Sequence, residues 1–162
     1  MRLLIDIGHP AHVHLYKNVY HELTEKGHIV FVTVKDIRAA KQLLSFYSIP
    51  FINLGPKLDS IKSKLINQLK YDLILRKIVI ENKIDLGIGT SVTIAHVSFI
   101  TRMRSIIFDD DDDEVEPLFT KFAHPFADHL ICPDVLKGKR KRKDTIFYSG
   151  YHELAYLHPN RF

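Results

Sequence analysis

Leu3-Leu4-Ile5-Asp6-Ile7-Gly8-His9-Pro10-Ala11-His12-Val13-His14 is the stretch on which the reading of this chain turns. A short apolar run with β-branched content stops at Gly8, and a helical pattern opens within a few residues. This is a strand-loop-helix junction, and in α/β sheets such junctions sit at the carboxyl edge, where ligands bind. The loop contains glycine but has the spacing of neither G-x-G-x-x-G nor Walker A. It carries histidines instead. Gly8, His9 and the opening of the next helix therefore read as one lining of a ligand cleft.

Working outward, the period becomes helical from His12 to Lys26, with Val13, Tyr16, Val19, Tyr20 and Leu23 on one face. Gly27 then serves as a helix C-terminal glycine. His28 to Val34 is a second strand and the strongest β signal in the chain. Asp36 is placed to cap a helix running to about Tyr47. Pro50 to Asn53 is a short third strand, stopped by Leu54-Gly55-Pro56. Ser60 to about Asn82 is a long helical pattern with Ile61, Leu65, Leu69 and Leu73 in one stripe. Ile84 to Ile88 forms a fourth strand ending at Gly89, and Thr90 or Ser91 caps the helix after it. Ser105 to Phe108, Leu130 to Cys132 and Thr145 to Tyr148 complete the strands. An acidic run, Asp109 to Glu114, leads into a helix with Pro117 in its first turn, where the missing N–H costs nothing.

Strands alternating with helices imply crossover connections. The expected fold is α/β and Rossmann-like: a doubly wound, mainly parallel sheet of order about 3-2-1-4-5-6 with helices on both faces. The switch point then falls between strands 1 and 4. Two loops flank that crevice, Gly8 to His12 and Gly89 to Val92. Residues 1–150 form the domain, and residues 151–162 form an exit segment.

At 162 residues the chain is long enough to bury one proper core. A single cysteine, Cys132, excludes an internal disulfide and fits a reducing, cytoplasmic compartment. Arg2 leads straight into a strand-like run, which speaks against a signal peptide, and charges such as Arg76-Lys77 interrupt every long apolar stretch. The net charge is +4, but Lys137, Lys139, Arg140, Lys141, Arg142 and Lys143 supply six positive charges, and without them the remainder stands at −2. Basicity is thus a property of one loop, read as solvated surface. An anionic membrane surface, met peripherally, and nucleic acid are its sharper alternatives, the second disfavoured.

His9, His12 and His14 raise the question of a metal site. At ~100° per residue in a helix, His12 and His14 point roughly 200° apart and do not share one ion. Carboxylates ahead of a helix are favourable without a metal, by ~0.3–1 kcal/mol each. No metal is expected in either place. Asp109 and Asp110 follow a strand and reach the cleft edge. Thr90 and Ser91 are either caps or hydroxyls that contact a sugar or phosphate. His124 and His129 border a Pro-containing turn and satisfy local polar groups, while Cys132 lies on a buried strand with nothing to make it a nucleophile.

The run Ile5-Asp6-Ile7-Gly8-His9-Pro10-Ala11-His12-Val13-His14 resembles the opening of the archaeal and bacterial domain-of-unknown-function 354 proteins. So do Val32-Thr33-Val34-Lys35-Asp36, Gly89-Thr90-Ser91 and Gly150-Tyr151-His152-Glu153-Leu154-Ala155-Tyr156-Leu157. The resemblance covers essentially the whole chain but about half of a typical member. Those proteins look like GT-B glycosyltransferases, related in layout to the lipid-linked N-acetylglucosaminyltransferase of peptidoglycan synthesis and to UDP-N-acetylglucosamine 2-epimerase. The resemblance implies the N-terminal, acceptor-side domain of a GT-B architecture, with a donor-binding second domain absent from this sequence, in cis or on another chain. It further implies a nucleotide-sugar donor as substrate, no cofactor, a sugar or lipid-linked acceptor, and inactivity of the chain alone. Self-association through the open face is a related expectation. Gly8, Pro10, His12, Gly89, Thr90, Ser91, Asp109 and Asp110 are the expected substrate contacts, with His9 the first candidate for a catalytic base or phosphate contact. The alternatives are a sugar-nucleotide epimerase-like domain and a non-catalytic binding module.

Overall fold

The computed structural model describes residues 1–56 and 61–161, the side chains of residues 61–65 and 161 excepted. Its strands are β1 (Arg2–Ile7), β2 (Ile29–Val34), β3 (Ile52–Asn53), β4 (Leu86–Gly89), β5 (Arg104–Phe108), β6 (His129–Pro133) and β7 (Ile146–Tyr148). They form one sheet of order β3-β2-β1-β4-β5-β6-β7, and every neighbouring pair is parallel. The expected order holds and extends by β7, and the switch point lies between β1 and β4. Between the strands run α1 (Pro10–Glu25), α2 (Arg38–Phe46), α3 (Ile61–Glu81), α4 (Val92–Phe99) and α5 (Pro117–Phe122), and α6 (Leu154–Leu157) lies in the exit segment.

Alternation along β1 splits the core in two, because successive side chains of a strand face opposite sides of the sheet. Leu3, Ile5 and Ile7 pack with Val13, Tyr16, Ala40 and Leu44 of α1 and α2. Leu4 packs on the other face with Tyr71, Leu75 and Val79 of α3 and Ile94 and Val97 of α4. Both faces are covered, which is why β1 reads as a near-continuous apolar run.

Three local expectations change. Asp36 does not cap α2: the N-cap is Ile37, with no side-chain bond, and the Asp36 carboxylate instead takes Lys41 and the Asn53 amide. Of the two candidate caps for α4, Ser91 acts, its Oγ accepting from the Ile94 N–H at 3.3 Å. The apolar stripe expected on the long helix faces away from the core. Leu69 and Leu73 are 57% and 66% exposed, whereas Leu75 is fully buried and Tyr71 and Val79 nearly so. The helix is apolar nearly all round, so periodicity did not decide which side meets the sheet. The helix start expected at Ser60 and the side chains of Ile61 and Leu65 lie outside the described residues.

This rotation of α3 has a measurable consequence. Leu75→Ala should cost about 2–5 kcal/mol in urea unfolding by the loss of buried methylenes. Leu73→Lys should stay within about 0.5 kcal/mol of wild type, whereas a core-facing stripe would reverse the two effects.

Candidate functional site

The carboxyl edge at the switch point is built from three loops and the exit segment. His9 is the N-cap of α1, with extended backbone, and its Nδ1 accepts from the Ala11 N–H at 3.2 Å. Pro10 fills the first helical position, where it has no N–H to offer. His12 turns back one helical turn, and its Nδ1 accepts from the Gly8 N–H at 3.2 Å. The donors that would cradle an anion at this helix start are thus turned onto histidine rings. His9 itself is exposed, with its ring centroid 6.0 Å from that of His12.

Across the switch point, Thr90 Oγ1 lies 2.8 Å from Nδ1 and 2.9 Å from Nε2 of His12. Burial, with the nearby His9 adding to it and Asp110 opposing, lowers the His12 pKa to about 4. The ring is therefore neutral at pH 7. Gly89 supplies closeness: a Cβ there would stand 3.3 Å from the Asp6 carbonyl oxygen. Asp6 is fully buried at the end of β1; its Oδ1 accepts from the Thr33 hydroxyl at 2.7 Å. Its Oδ2 has no partner among the described residues.

The third loop corrects the reading of both charge runs. The segment from Lys137 to Lys143 is not simply a solvated loop, because the Arg140 side chain is only 1% exposed. Its Nη1 donates to Asp109 Oδ2 at 2.8 Å and pairs with Asp113, while Nη2 donates to the Asp111 carbonyl at 2.7 Å. His124 Nε2 lies 2.8 Å from the same Asp109 oxygen. Asp109 Oδ1 accepts from the Asp111 N–H at 3.1 Å. Arg142 adds a bond to the Ala127 carbonyl at 2.8 Å. Asp109 was expected as a substrate contact; its carboxylate is instead committed to this clamp, and His124 satisfies a local polar group as expected. Oxygens of Asp109, Asp110 and Asp111 come within 4.8 Å of one another. The Asp109 oxygens that a cation would need already hold the guanidinium, the imidazole and an N–H.

Asp110 turns the other way. Its Oδ2 lies 3.1 Å from Nδ1 of His152, whose side chain is 8% exposed, and this bond draws the Asp110 pKa below its usual value. His152 sits between the rings of Phe108 and Tyr148, with centroids 5.8 Å and 5.9 Å away. Its segment is anchored on α1, where the Asn18 amide donates to the Ala155 carbonyl at 2.9 Å and His14 meets the Tyr156 ring. His12, Thr90, Asp109 and Asp110 line one cavity of about 220 Å³ with Asp111 and Glu116. Ser91 is spent on capping, Gly8 on His12, and His9 stands at the rim. Cys132 is buried, and its thiol is pushed up to about 11 by that burial. Reading the sequence missed Asp6, Arg140, Tyr148 and His152 as parts of the site. The segment Gly150-Tyr151-His152 was visible as a motif, but nothing in it pointed back to the strand ends.

Residues 1–157 match the family described as "Protein of unknown function (DUF354)". No curated protein matches the sequence. Among solved structures, the UDP-GlcNAc 2-epimerase of Methanocaldococcus jannaschii superposes with a TM-score of 0.74 at 12% identity, over 97% of this chain and 48% of that one. The UDP-GlcNAc 2-epimerase of Neisseria meningitidis, bound to UDP-GlcNAc, gives 0.72 at 12% identity, over 97% and 49%. Acinetobacter baumannii MurG gives 0.70 at 12% identity, over 93% and 46%. The chain has the Rossmann-like fold of one GT-B enzyme domain and spans about half the length of these structures. Among the described residues, no helix is long and apolar enough to cross a membrane.

Three measurements check this geometry. Arg140→Met leaves Asp109 and Asp113 buried without their cation and should cost about 3–5 kcal/mol of unfolding free energy. The His12 imidazole should titrate near pH 4 by NMR, against an ordinary value of 6.5. Its folded pKa lies below the unfolded one, so the stability it contributes is complete above pH 6.5 and declines as pH falls towards 4. His12→Asn should remove that part of the acid sensitivity in urea titrations at successive pH values.

Proposed function

Because the chain belongs to the DUF354 protein family and has the fold of one GT-B domain, we propose that it forms one wall of a sugar-nucleotide and acceptor cleft. The observation that carries this is convergence: the loops after β1, β4 and β5 bring His12, Thr90 and Asp110 onto one cavity at the switch point. That is where open α/β sheets bind ligands.

In this reading the chain is the acceptor side. Neutral His12 and the Thr90 hydroxyl exchange hydrogen bonds with a sugar, and Asp110 accepts from its hydroxyls. Gly8 permits close approach of the ligand, and Pro10 and His9 form the outer rim, where His9 is the contact to the reacting end or its phosphate. Gly89 and Ser91 support the second loop. The opposite wall is a second Rossmann-like domain, in cis or from another chain, which holds most of the nucleotide. Without that wall the chain is inactive in transfer.

Titration of the 15N-labelled chain with UDP-N-acetylglucosamine tests the cleft. Saturable shifts should cluster at Gly8 to Val13 and Gly89 to Val92 and leave Phe99 to Met103, at the opposite edge of the sheet, unmoved. His9→Ala should weaken the response with the fold intact. Shifts confined to the opposite edge, or indifference to His9→Ala, would reject this placement.

A further inference from the structure

Beside the acidic cavity lies a second one of about 260 Å³, lined by Leu15, Tyr151, Leu154 and Ala155 and by Tyr148 and His152. Phe108 lines both cavities, so the two lobes adjoin at that ring. The second lobe is mainly apolar, yet two polar atoms in it are buried without partners among the described residues: the Tyr148 hydroxyl and Nε2 of His152. Leaving such groups unmatched is unfavourable, and a ligand that bonds them removes that cost.

The hydrogen-bond roles of these atoms are set by their neighbours. An ionised carboxylate only accepts, so Asp110 holds a proton on Nδ1 of His152 and leaves Nε2 as the ring nitrogen without a partner. Burial, with the negative charge of Asp110, raises the Tyr148 pKa well above its ordinary value, so its hydroxyl keeps its proton and donates. A ring nitrogen beside a hydroxyl is the complement of an alcohol, which gives one hydrogen bond and takes another. On the other lobe, the Asp110, Asp111 and Glu116 side chains line the wall. Three carboxyl groups accept from sugar hydroxyls and disfavour a phosphate or carboxylate.

We propose that these two lobes are an acceptor subsite for an uncharged glycoside with an aryl or alkyl substituent, its hydroxyls meeting Asp110, His152 Nε2 and the Tyr148 hydroxyl and its apolar part packing on Phe108, Leu15 and Leu154. This rests on the acceptor-side reading above and names the chemistry that side selects. His152 is a ligand contact, and Asp110 is both a contact and the group that positions it. The bond between Asn18 and the Ala155 carbonyl and the tilted ring contact of Tyr156 with His14 hold the segment in place before a ligand arrives.

The test is an NMR titration of the 15N-labelled chain with phenyl β-D-glucopyranoside, D-glucose and phenyl phosphate. Phenyl glucoside should give saturable shifts at Phe108, Asp110, Tyr148 and His152, with glucose at least about tenfold weaker for want of the apolar contact. Phenyl phosphate should give none there. His152→Phe should weaken the glycoside about tenfold through its lost ring nitrogen, and Leu154→Trp, which fills the apolar lobe from a half-exposed position, should abolish binding. Well-dispersed spectra of both variants show that they fold. Phenyl phosphate binding as tightly as the glucoside, no saturable glucoside response, or indifference to both variants overturns the proposal. A UDP-N-acetylglucosamine response at Gly8 to Val13 without a glucoside response removes the subsite and keeps the cleft wall. A glucoside response alone keeps the subsite and removes the nucleotide reading, and silence to both removes both.

Discussion

A guanidinium buried between two carboxylates holds the carboxyl edge of this sheet together. Arg140 lies beyond β6, while Asp109 and Asp113 lie beyond β5, so the ion pairs tie the exits of two adjacent parallel strands. Burying these charges is expensive, and only the completeness of their pairing makes the arrangement tolerable. His124, backbone carbonyls and the Lys141 N–H, which donates to Asp113 at 2.8 Å, supply the remaining bonds. The acidic run and the basic run are thus largely one structure. Read separately, each looks like a surface charge cluster with its own partner.

The clamp also decides what is left over for a ligand. Asp109 is drawn inward to Arg140, and Asp110 is left facing His152 and the cavity. At the neighbouring loop, the histidine rings occupy the N–H groups of Gly8 and Ala11. A helix start that looked ready for an anion is closed upon itself at these two N–H groups, and Asp110 and Glu116 line the cavity beside it.

The exit segment completes the site. Gly150, with φ of +119°, occupies the left-handed region that lets the chain turn after β7. That turn brings His152 beneath Asp110 and lays α6 on α1. A segment that looks like a connection in the sequence is therefore a wall of the cavity, and its contact with α1 links it to the His9-His12 loop.

What the sequence alone determined was the layout. Apolar runs of strand length alternating with helical periods identified the strands of the described residues, their parallel order as far as β6 and the switch point, because those patterns follow from local geometry and from the right-handed crossover rule. It also named His12, Thr90 and Asp110, which the fold brings onto one cavity, since strand ends at a switch point are few. Only the tertiary structure decided the side of α3 that meets the sheet, because apolar residues surround that helix and local period carries no choice. Only it decided that Asp109 is spent on Arg140, 31 residues away, and that His152 returns to Asp110. Such pairings are set by how parallel strands stack side by side, a distance in space that no spacing along the chain encodes.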